Sequence, residues 1–286
     1  IHNFGLQEVE RILKEQLIIK QKLGFGGTIK EFNKHLKQRK DLRFNSDKDL
    51  IESYKKIKQQ IDRTVLKDYF YETINNKCLI LPIPKHNEEY SSEAYYMPGD
   101  IEGKRKGKFY INLRNYKENS RIDMEALCLH EANPGHHFQI TYNNESTDIP
   151  LFLKCYNNDA YSEGWGLYCE KLGRYKQLES YYGKLNMEMI RAIRLVVDTG
   201  IHYYGWSFSK TFNYMKRYLF ETDTQIKTQI YRYSAIPGQA LSYKMGEKVI
   251  LDLRSKYAGE IKKFHSKLLK YGQIPLDILV KEEFKF

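Results

Sequence analysis

Several features that define particular protein classes are scarce in this 286-residue sequence. It has four cysteines, none of them in a CxxC pair, which argues against a zinc ribbon or a disulfide framework. A chain of this length can bury a sizeable core without such cross-links. No apolar run approaches the ~20 residues that a membrane span requires, so we expect a soluble chain with no membrane span.

Acidic residues are also in deficit, because 36 Asp and Glu stand against 47 Lys and Arg, a formal net charge of +11. A charge of this size can indicate a nucleic-acid or anionic-membrane partner. Here the lysines are spread along the chain, and the one dense basic run, 104–108, has the composition of a solvated turn. We therefore expect no nucleic-acid partner.

Helical periodicity dominates what the sequence does contain. Between 49 and 69 the apolar positions recur every three or four residues, Ser46 is placed to cap this helix, and GFGG at 24–27 separates two shorter helices. Residues 76–115 differ, since EAYYMPGD and GKFYINL surround a Gly- and Lys-rich turn, which predicts a β-hairpin.

Helical patterns return at Ser120, which begins a predicted capping box. Further helices are predicted at about 159–180, 183–203, 207–221, 239–256 and 259–270. We predict one mainly α domain over 1–286, in which a helical lead-in (1–75) and a small β element (76–115) precede a helical core (120–286).

The stretch LHEANPGHHFQ, residues 129–139, begins like the HExxH helix of zinc peptidases, but Pro134 occupies the place of the second histidine. His130 and Glu131 match the start of that motif, a metal ligand followed by a carboxylate that faces the metal-bound water. Pro134 cannot donate an N–H to the carbonyl of His130, so we predict a kink or bulge before His136.

Such a bulge would bring His136 to the place that the second histidine holds in a straight helix. We therefore favour His136 over His137 as a ligand and give His137 a supporting or substrate-side role. Spacing alone also permits a simpler interpretation, in which these histidines are satisfied core side chains.

A third ligand is expected from the next helix, where AYSEGWGLYCE offers Glu163. Gly164 and Gly166 beside it would allow two helices to approach closely. Glu170 is either an alternative ligand or a carboxylate that orients a ligand histidine. The expected ion is Zn²⁺.

The motifs HEANPGHHFQ, YSEGWGLYCE, RAIRLVVDTGIHYYGWS and RYSAIPGQALSYKMG occur in this order. They resemble the motifs of the domain of unknown function 885 family. The resemblance implies a mainly α, gluzincin-like zinc metallopeptidase with a thimet-oligopeptidase-like plan and a small β element before the metal-binding helix. It also implies that His130, His136 and Glu163 bind zinc and that Glu131 is the general base.

Members of that family are considerably longer than this chain, and the resemblance is to their C-terminal half. The chain also begins with Ile1 rather than methionine, which indicates a fragment or a processed product. The missing N-terminal half would then be a candidate partner. A signal peptide would not be visible here, so the localisation is left unknown.

Hydrolysis at a zinc centre also needs a donor for the oxyanion. The candidates are His202, which stands four residues after Asp198 on one helix face, and Tyr243, which the family pattern singles out. The Asp198–His202 pair could equally be a helix-surface pair. Arg191 and Arg194 lie among apolar positions and need a partner, either a salt bridge or a substrate carboxylate.

The expected function is therefore that of a zinc-dependent hydrolase. We expect a metallopeptidase that cleaves short peptides with zinc-activated water, and the strand GKFYINL could bind an extended peptide at a sheet edge. The alternatives are a zinc hydrolase of a non-peptide amide or ester and a non-catalytic helical protein that retains the metal site.

Overall fold

The computed structural model describes residues 1–117 and 119–284. In these residues it forms fourteen α-helices and three strands. The helices are α1 His2–Lys22, α2 Ile29–Gln38, α3 Asp47–Ile61, α4 Lys67–Tyr69, α5 Met124–Glu131, α6 His136–Glu145, α7 Leu151–Cys155, α8 Asp159–Glu170, α9 Leu178–His202, α10 Phe208–Tyr218, α11 Asp223–Ala235, α12 Ser242–Lys256, α13 Ile261–Leu269 and α14 Leu276–Glu283. The strands are β1 Cys78–Pro82, β2 Ala94–Met97 and β3 Gly107–Ile111. This fold confirms the prediction of a mainly α chain with a small β element.

Side-chain caps explain where several helices begin. Ser46 Oγ accepts the N–H of Asp49 at 3.1 Å at the start of α3, as predicted. α3 then passes through a π-helical turn, 62–66, into α4. At Ser120 the hydroxyl accepts the N–H of Ile122, so a short 3₁₀ turn leads into α5 in place of the predicted capping box.

The helix predictions after α7 need three corrections. α8 ends at Glu170 rather than near 180, because the following turn contains Gly173 and Tyr175, and Tyr175 has a positive φ of 38°. α11 was not predicted, although Thr222 and Gln225 form a complete capping box at its start. The prediction also missed α14.

The sheet has the strand order β1-β3-β2. β2 and β3 pair antiparallel, which confirms the predicted hairpin, and β1 pairs parallel with β3 on its other side. The expectation that GKFYINL is an edge strand is therefore wrong, because β3 is hydrogen-bonded to a neighbour on both sides. β2, the other strand of the hairpin, is an edge strand of the sheet.

Three apolar clusters fill the spaces between these elements. The first joins α1 and α2 to α9, α10 and α11, the second joins α8 to α12, α13 and α14, and the third places α3 and α5 against the sheet. α9 is the most buried long helix of the first cluster. Among the described residues, no helix is long and apolar enough to cross a membrane.

α8 and α12 approach each other more closely than most side chains would allow. A Cβ on Gly164 would lie 2.4 Å from the carbonyl carbon of Gly246, and a Cβ on Gly246 would lie 1.9 Å from the carbonyl oxygen of Ala160. Only glycine fits at this crossing, because backbone atoms of the facing helix occupy the space of a Cβ. This contact fixes the distance between α8 and α12 at their crossing.

We predict that Gly246→Ala destabilises the fold by roughly 1–3 kcal/mol, the usual cost of overpacking, because α8 and α12 must separate. The control is Gly26→Ala, since a Cβ at Gly26 meets nothing within 4 Å. Urea unfolding followed by circular dichroism measures both variants. Equal unfolding free energies for the two variants would contradict the proposed role of the crossing.

Candidate metal centre

The helix that starts at Met124 breaks where the sequence predicts an irregularity. α5 ends at Glu131 and α6 begins at His136. A Cβ on Gly135 would lie 1.9 Å from the carbonyl oxygen of His130, so glycine allows the chain to fold back on the end of α5. Trp165 Nε1 donates to the Pro134 carbonyl at 2.8 Å and anchors the break to α8.

His130, His136 and Glu163 converge on one point. Oε2 of Glu163 lies 3.3 Å from Nε2 of His130 and 3.5 Å from Nε2 of His136. Ligand atoms bound tetrahedrally to zinc at ~2.0–2.1 Å are about 3.4 Å apart, so these separations fit the ion. Two imidazoles and one carboxylate are also a donor set that zinc prefers, so the residues present fit the expected metal.

Glu131 is a second carboxylate at the same place. The candidate ligand atoms of His130, Glu131 and His136 all lie within 4.8 Å of one another. Oε2 of Glu131 accepts the backbone N–H of Tyr96 at 2.9 Å, so β2 holds this carboxylate to one side. Glu163 approaches both imidazoles directly, as expected of a third ligand, whereas Glu131 is held beside them.

The His130 ring is oriented from both sides. Its Nδ1–H donates to Oε1 of Glu170 at 2.9 Å, which is the orienting role considered for Glu170. A Cβ on Gly166 would lie 2.7 Å from Cε1 of His130, so the absent side chain makes room for the imidazole. Gly166 thus leaves space for the His130 ring, whereas Gly164 allows the close contact between α8 and α12.

The electrostatics of this cluster favour a cation. Burial lowers the pKa of His130, but hydrogen bonds to Glu163 and Glu170 outweigh it and raise the pKa to about 10. Burial likewise raises the pKa of Glu163, but hydrogen bonds to His130 and His136 hold it well below its usual range. The carboxylates therefore stabilise positive charge between them, whether a proton or a metal ion supplies it.

His137 lies on the other side of α6, away from this point. Its Nε2–H donates to the Asn76 carbonyl at 3.1 Å, and its Nδ1 accepts the Tyr96 hydroxyl at 3.0 Å. Burial lowers the pKa of His137 to about 4, which keeps the ring neutral. This histidine ties α6 to the β element.

The two predicted oxyanion donors occupy different surroundings. Tyr243 lies beneath Arg194, whose guanidinium carbon is 4.5 Å from the phenol ring centroid, and the charge of Glu163 reaches the same guanidinium. The exposed ring of His202 donates from Nε2 to the Tyr233 carbonyl at 2.9 Å. Tyr243 thus contacts a buried cation, whereas the Nε2–H of His202 is already donated to a backbone carbonyl.

The predicted Asp198–His202 pair is not formed as a hydrogen bond between the two described side chains. Asp198 instead accepts the backbone N–H of Gly238 at 3.0 Å. Burial raises the pKa of Asp198, and the charge of His202 opposes this shift. Asp198 therefore fastens α9 to the Pro237–Gly238 turn before α12.

Sequence reasoning missed the contribution of Tyr96. Its backbone N–H holds Glu131 and its hydroxyl holds His137, so one residue of β2 contacts both halves of the interrupted helix. The AYYM pattern predicts a strand but carries no sign of these partners, because a backbone donor has no side-chain signature.

The model of one family, described as "Bacterial protein of unknown function (DUF885)", matches residues 1–282. The chain belongs to this family. Two solved structures resemble this DUF885 chain, a "putative lipoprotein" from Colwellia psychrerythraea and a "putative lipoprotein of unknown function" from Shewanella oneidensis. No curated protein matches it.

The Colwellia protein is 30% identical, with a TM-score of 0.92 over 98% of this DUF885 chain and 50% of its own chain. The Shewanella protein is 19% identical, with a TM-score of 0.84 over 99% of this chain and 56% of its own, and shows the fold alone. This DUF885 chain thus spans about half the length of both structures.

We predict that the purified chain binds one zinc ion and that His136→Ala and Glu163→Ala abolish stoichiometric binding, because each removes a ligand atom. His202→Ala is the control, since this exposed histidine should not affect the ion. Competition with a chromophoric chelator measures the affinity. Full zinc content in Glu163→Ala would exclude Glu163 as a ligand.

We predict that Glu170→Gln weakens zinc binding ~10–100-fold without abolishing it, the usual effect of losing a carboxylate that orients a ligand histidine. The same competition assay applies. Complete loss of zinc would instead indicate that Glu170 is itself a ligand, and an unchanged affinity would exclude the orienting role.

Proposed function

We propose that this chain is a zinc-dependent hydrolase of the gluzincin-like kind, a metallopeptidase that cleaves short peptides. The observation that supports this best is the convergence of both imidazole Nε2 atoms on one oxygen of Glu163, with Glu131 held beside them. The mainly helical fold is compatible with the thimet-oligopeptidase-like plan that the resemblance implies.

When bound by His130, His136 and Glu163, the zinc ion would supply a Lewis acid that activates water and polarises a carbonyl. Glu131 would accept the proton of the attacking water and later donate it to the leaving amine. The hydrogen bond from Tyr96 N–H orients the Glu131 carboxylate for this role.

The free edge of β2 is the peptide-binding strand in this proposal, in place of GKFYINL. Tyr96 directs its N–H away from β3 towards Glu131, so the outward backbone groups of β2 lie next to the general base. An extended peptide paired with this edge would pass beside the metal cluster.

A donor to the oxyanion completes the mechanism. Tyr243 is the donor that we propose. It lies on α12 one turn before Gly246, which packs against Gly164, the residue after Glu163. His202 also remains a candidate donor, but its Nε2–H is already donated to the Tyr233 carbonyl.

We predict that Glu131→Gln keeps zinc but loses at least ~100-fold in peptide hydrolysis, because Gln cannot accept the proton of water. Zinc content and digestion of a mixed peptide library, followed by mass spectrometry, test both parts. The matched control is Glu125→Gln on the same helix. Its side chain accepts the N–H groups of Arg174 and Tyr175 instead.

Turnover that survives in Glu131→Gln would remove Glu131 from the mechanism. A zinc-loaded wild-type chain that cleaves esters or small amides but no peptide would favour the non-peptide hydrolase. A zinc-loaded chain that cleaves neither would favour the non-catalytic protein.

A further inference from the structure

Arg194 is a buried cation on α9, the helix that approaches the metal cluster through Arg191 and Glu170. Arg194 is 9% exposed and lies in the middle of α9. Its Nε donates to the Tyr233 hydroxyl at 3.1 Å, and its guanidinium lies 4.5 Å from the ring centroid of Tyr243. Two aromatic side chains thus hold the planar group in place.

No carboxylate of the described residues forms an ion pair with Arg194. Glu163 and Glu221 interact with Arg194 only through the longer-range attraction of their charges, and neither forms an ion pair with it. Arg191, one turn earlier, does have a carboxylate, with 3.9 Å between its Nη2 and Oε1 of Glu170.

Lys244 is another buried cation, and it forms ion pairs with three carboxylates of the chain. Nζ of Lys244 lies 2.9 Å from Glu8, 2.6 Å from Glu188 and 2.6 Å from Glu247. Lys184 likewise pairs with Glu188, and Lys20, the remaining buried lysine, donates to the carbonyls of Phe25 and Gly27. The Nη atoms of Arg194 have no such acceptor among the described residues. A buried charge without a partner is costly, so this difference indicates that the anion of Arg194 comes from outside the chain.

The planar shape of the Arg194 guanidinium indicates which kind of anion it would bind. A planar guanidinium binds a carboxylate through two parallel hydrogen bonds, and its neighbours Tyr233 and Tyr243 are aromatic rather than acidic. Arg191, one turn away on the same helix, lies 3.9 Å from Glu170, which holds the His130 ring, so α9 passes beside the metal cluster and an anion at Arg194 would lie near it. Every linear peptide with a free C-terminus carries a carboxylate one residue beyond its last peptide bond.

We propose that Arg194 binds the C-terminal carboxylate of the peptide substrate, so that the enzyme removes residues from the C-terminal end. The proposal rests on the proposed function and adds the direction of cleavage to it. Arg194 is then the residue that determines specificity, and Tyr233 and Tyr243 hold its guanidinium in place.

Binding to the metal-free chain tests this independently of catalysis. Isothermal titration calorimetry compares one short peptide as the free acid and as the C-terminal amide. We expect the acid to bind about tenfold or more tightly, since hydrogen bonds to charged groups are the strong ones. Equal affinities of the acid and the amide would overturn the proposal, and this comparison needs no variant.

Arg194→Met should remove this preference, so that the free acid and the amide bind with about equal affinity. Arg254→Met is the matched control, because the Arg254 guanidinium also lies over an aromatic ring, at 5.6 Å from Phe264, but in the second apolar cluster. Arg194→Lys keeps the charge without the planar fork and should retain part of the preference. A full preference in Arg194→Met would overturn the proposal.

A third peptide separates the two sources of a carboxylate. It is amidated at its C-terminus and carries an internal Glu. Tight binding of this peptide would assign Arg194 to an acidic side chain and overturn the C-terminal assignment. If the acid preference is present but no zinc-loaded chain cleaves any peptide, the proposed function fails while the carboxylate site stands.

Discussion

The candidate site depends on how closely three helix segments approach one another. Two glycines of α8 make this possible, because Gly164 admits the backbone of α12 and Gly166 admits the ring of His130. Gly135 allows the broken helix to fold back on itself, so that His136 joins His130. Larger side chains at these points would move His130, His136 and Glu163 apart.

Charge is arranged around this geometry in two ways. Glu163 and Glu170 flank His130 and favour a cation at the centre. Lys184 and Lys244 are matched by carboxylates of the chain itself, and Lys20 is matched by two backbone carbonyls. The Nη atoms of Arg194 have neither kind of acceptor among the described residues, and this difference is the basis of its proposed role in binding.

The small sheet contributes more than a cap over the core. β1 occupies the outer side of β3, which leaves β2 free and turned towards α5. Tyr96 then bonds Glu131 through its backbone and His137 through its hydroxyl. Strand order therefore determines which backbone groups face the proposed general base.

Local sequence was sufficient for features whose cause is local. Pro134 and Gly135 predicted the break before His136, because a missing N–H and a missing Cβ act within one helical turn. Two β-prone runs around a Gly- and Lys-rich turn predicted the β2–β3 hairpin. They could not show that β1 would cover β3, because pairing depends on residues far apart in the chain.

The sequence by itself determined the helical class, the helix break and the set of candidate metal-binding residues. Only the tertiary structure decided that Glu163 meets both histidines, that His202 turns to the Tyr233 carbonyl and that Arg194 has no carboxylate partner among the described residues. These outcomes depend on distances between helices, which are determined by packing across the whole core rather than by neighbours in the chain.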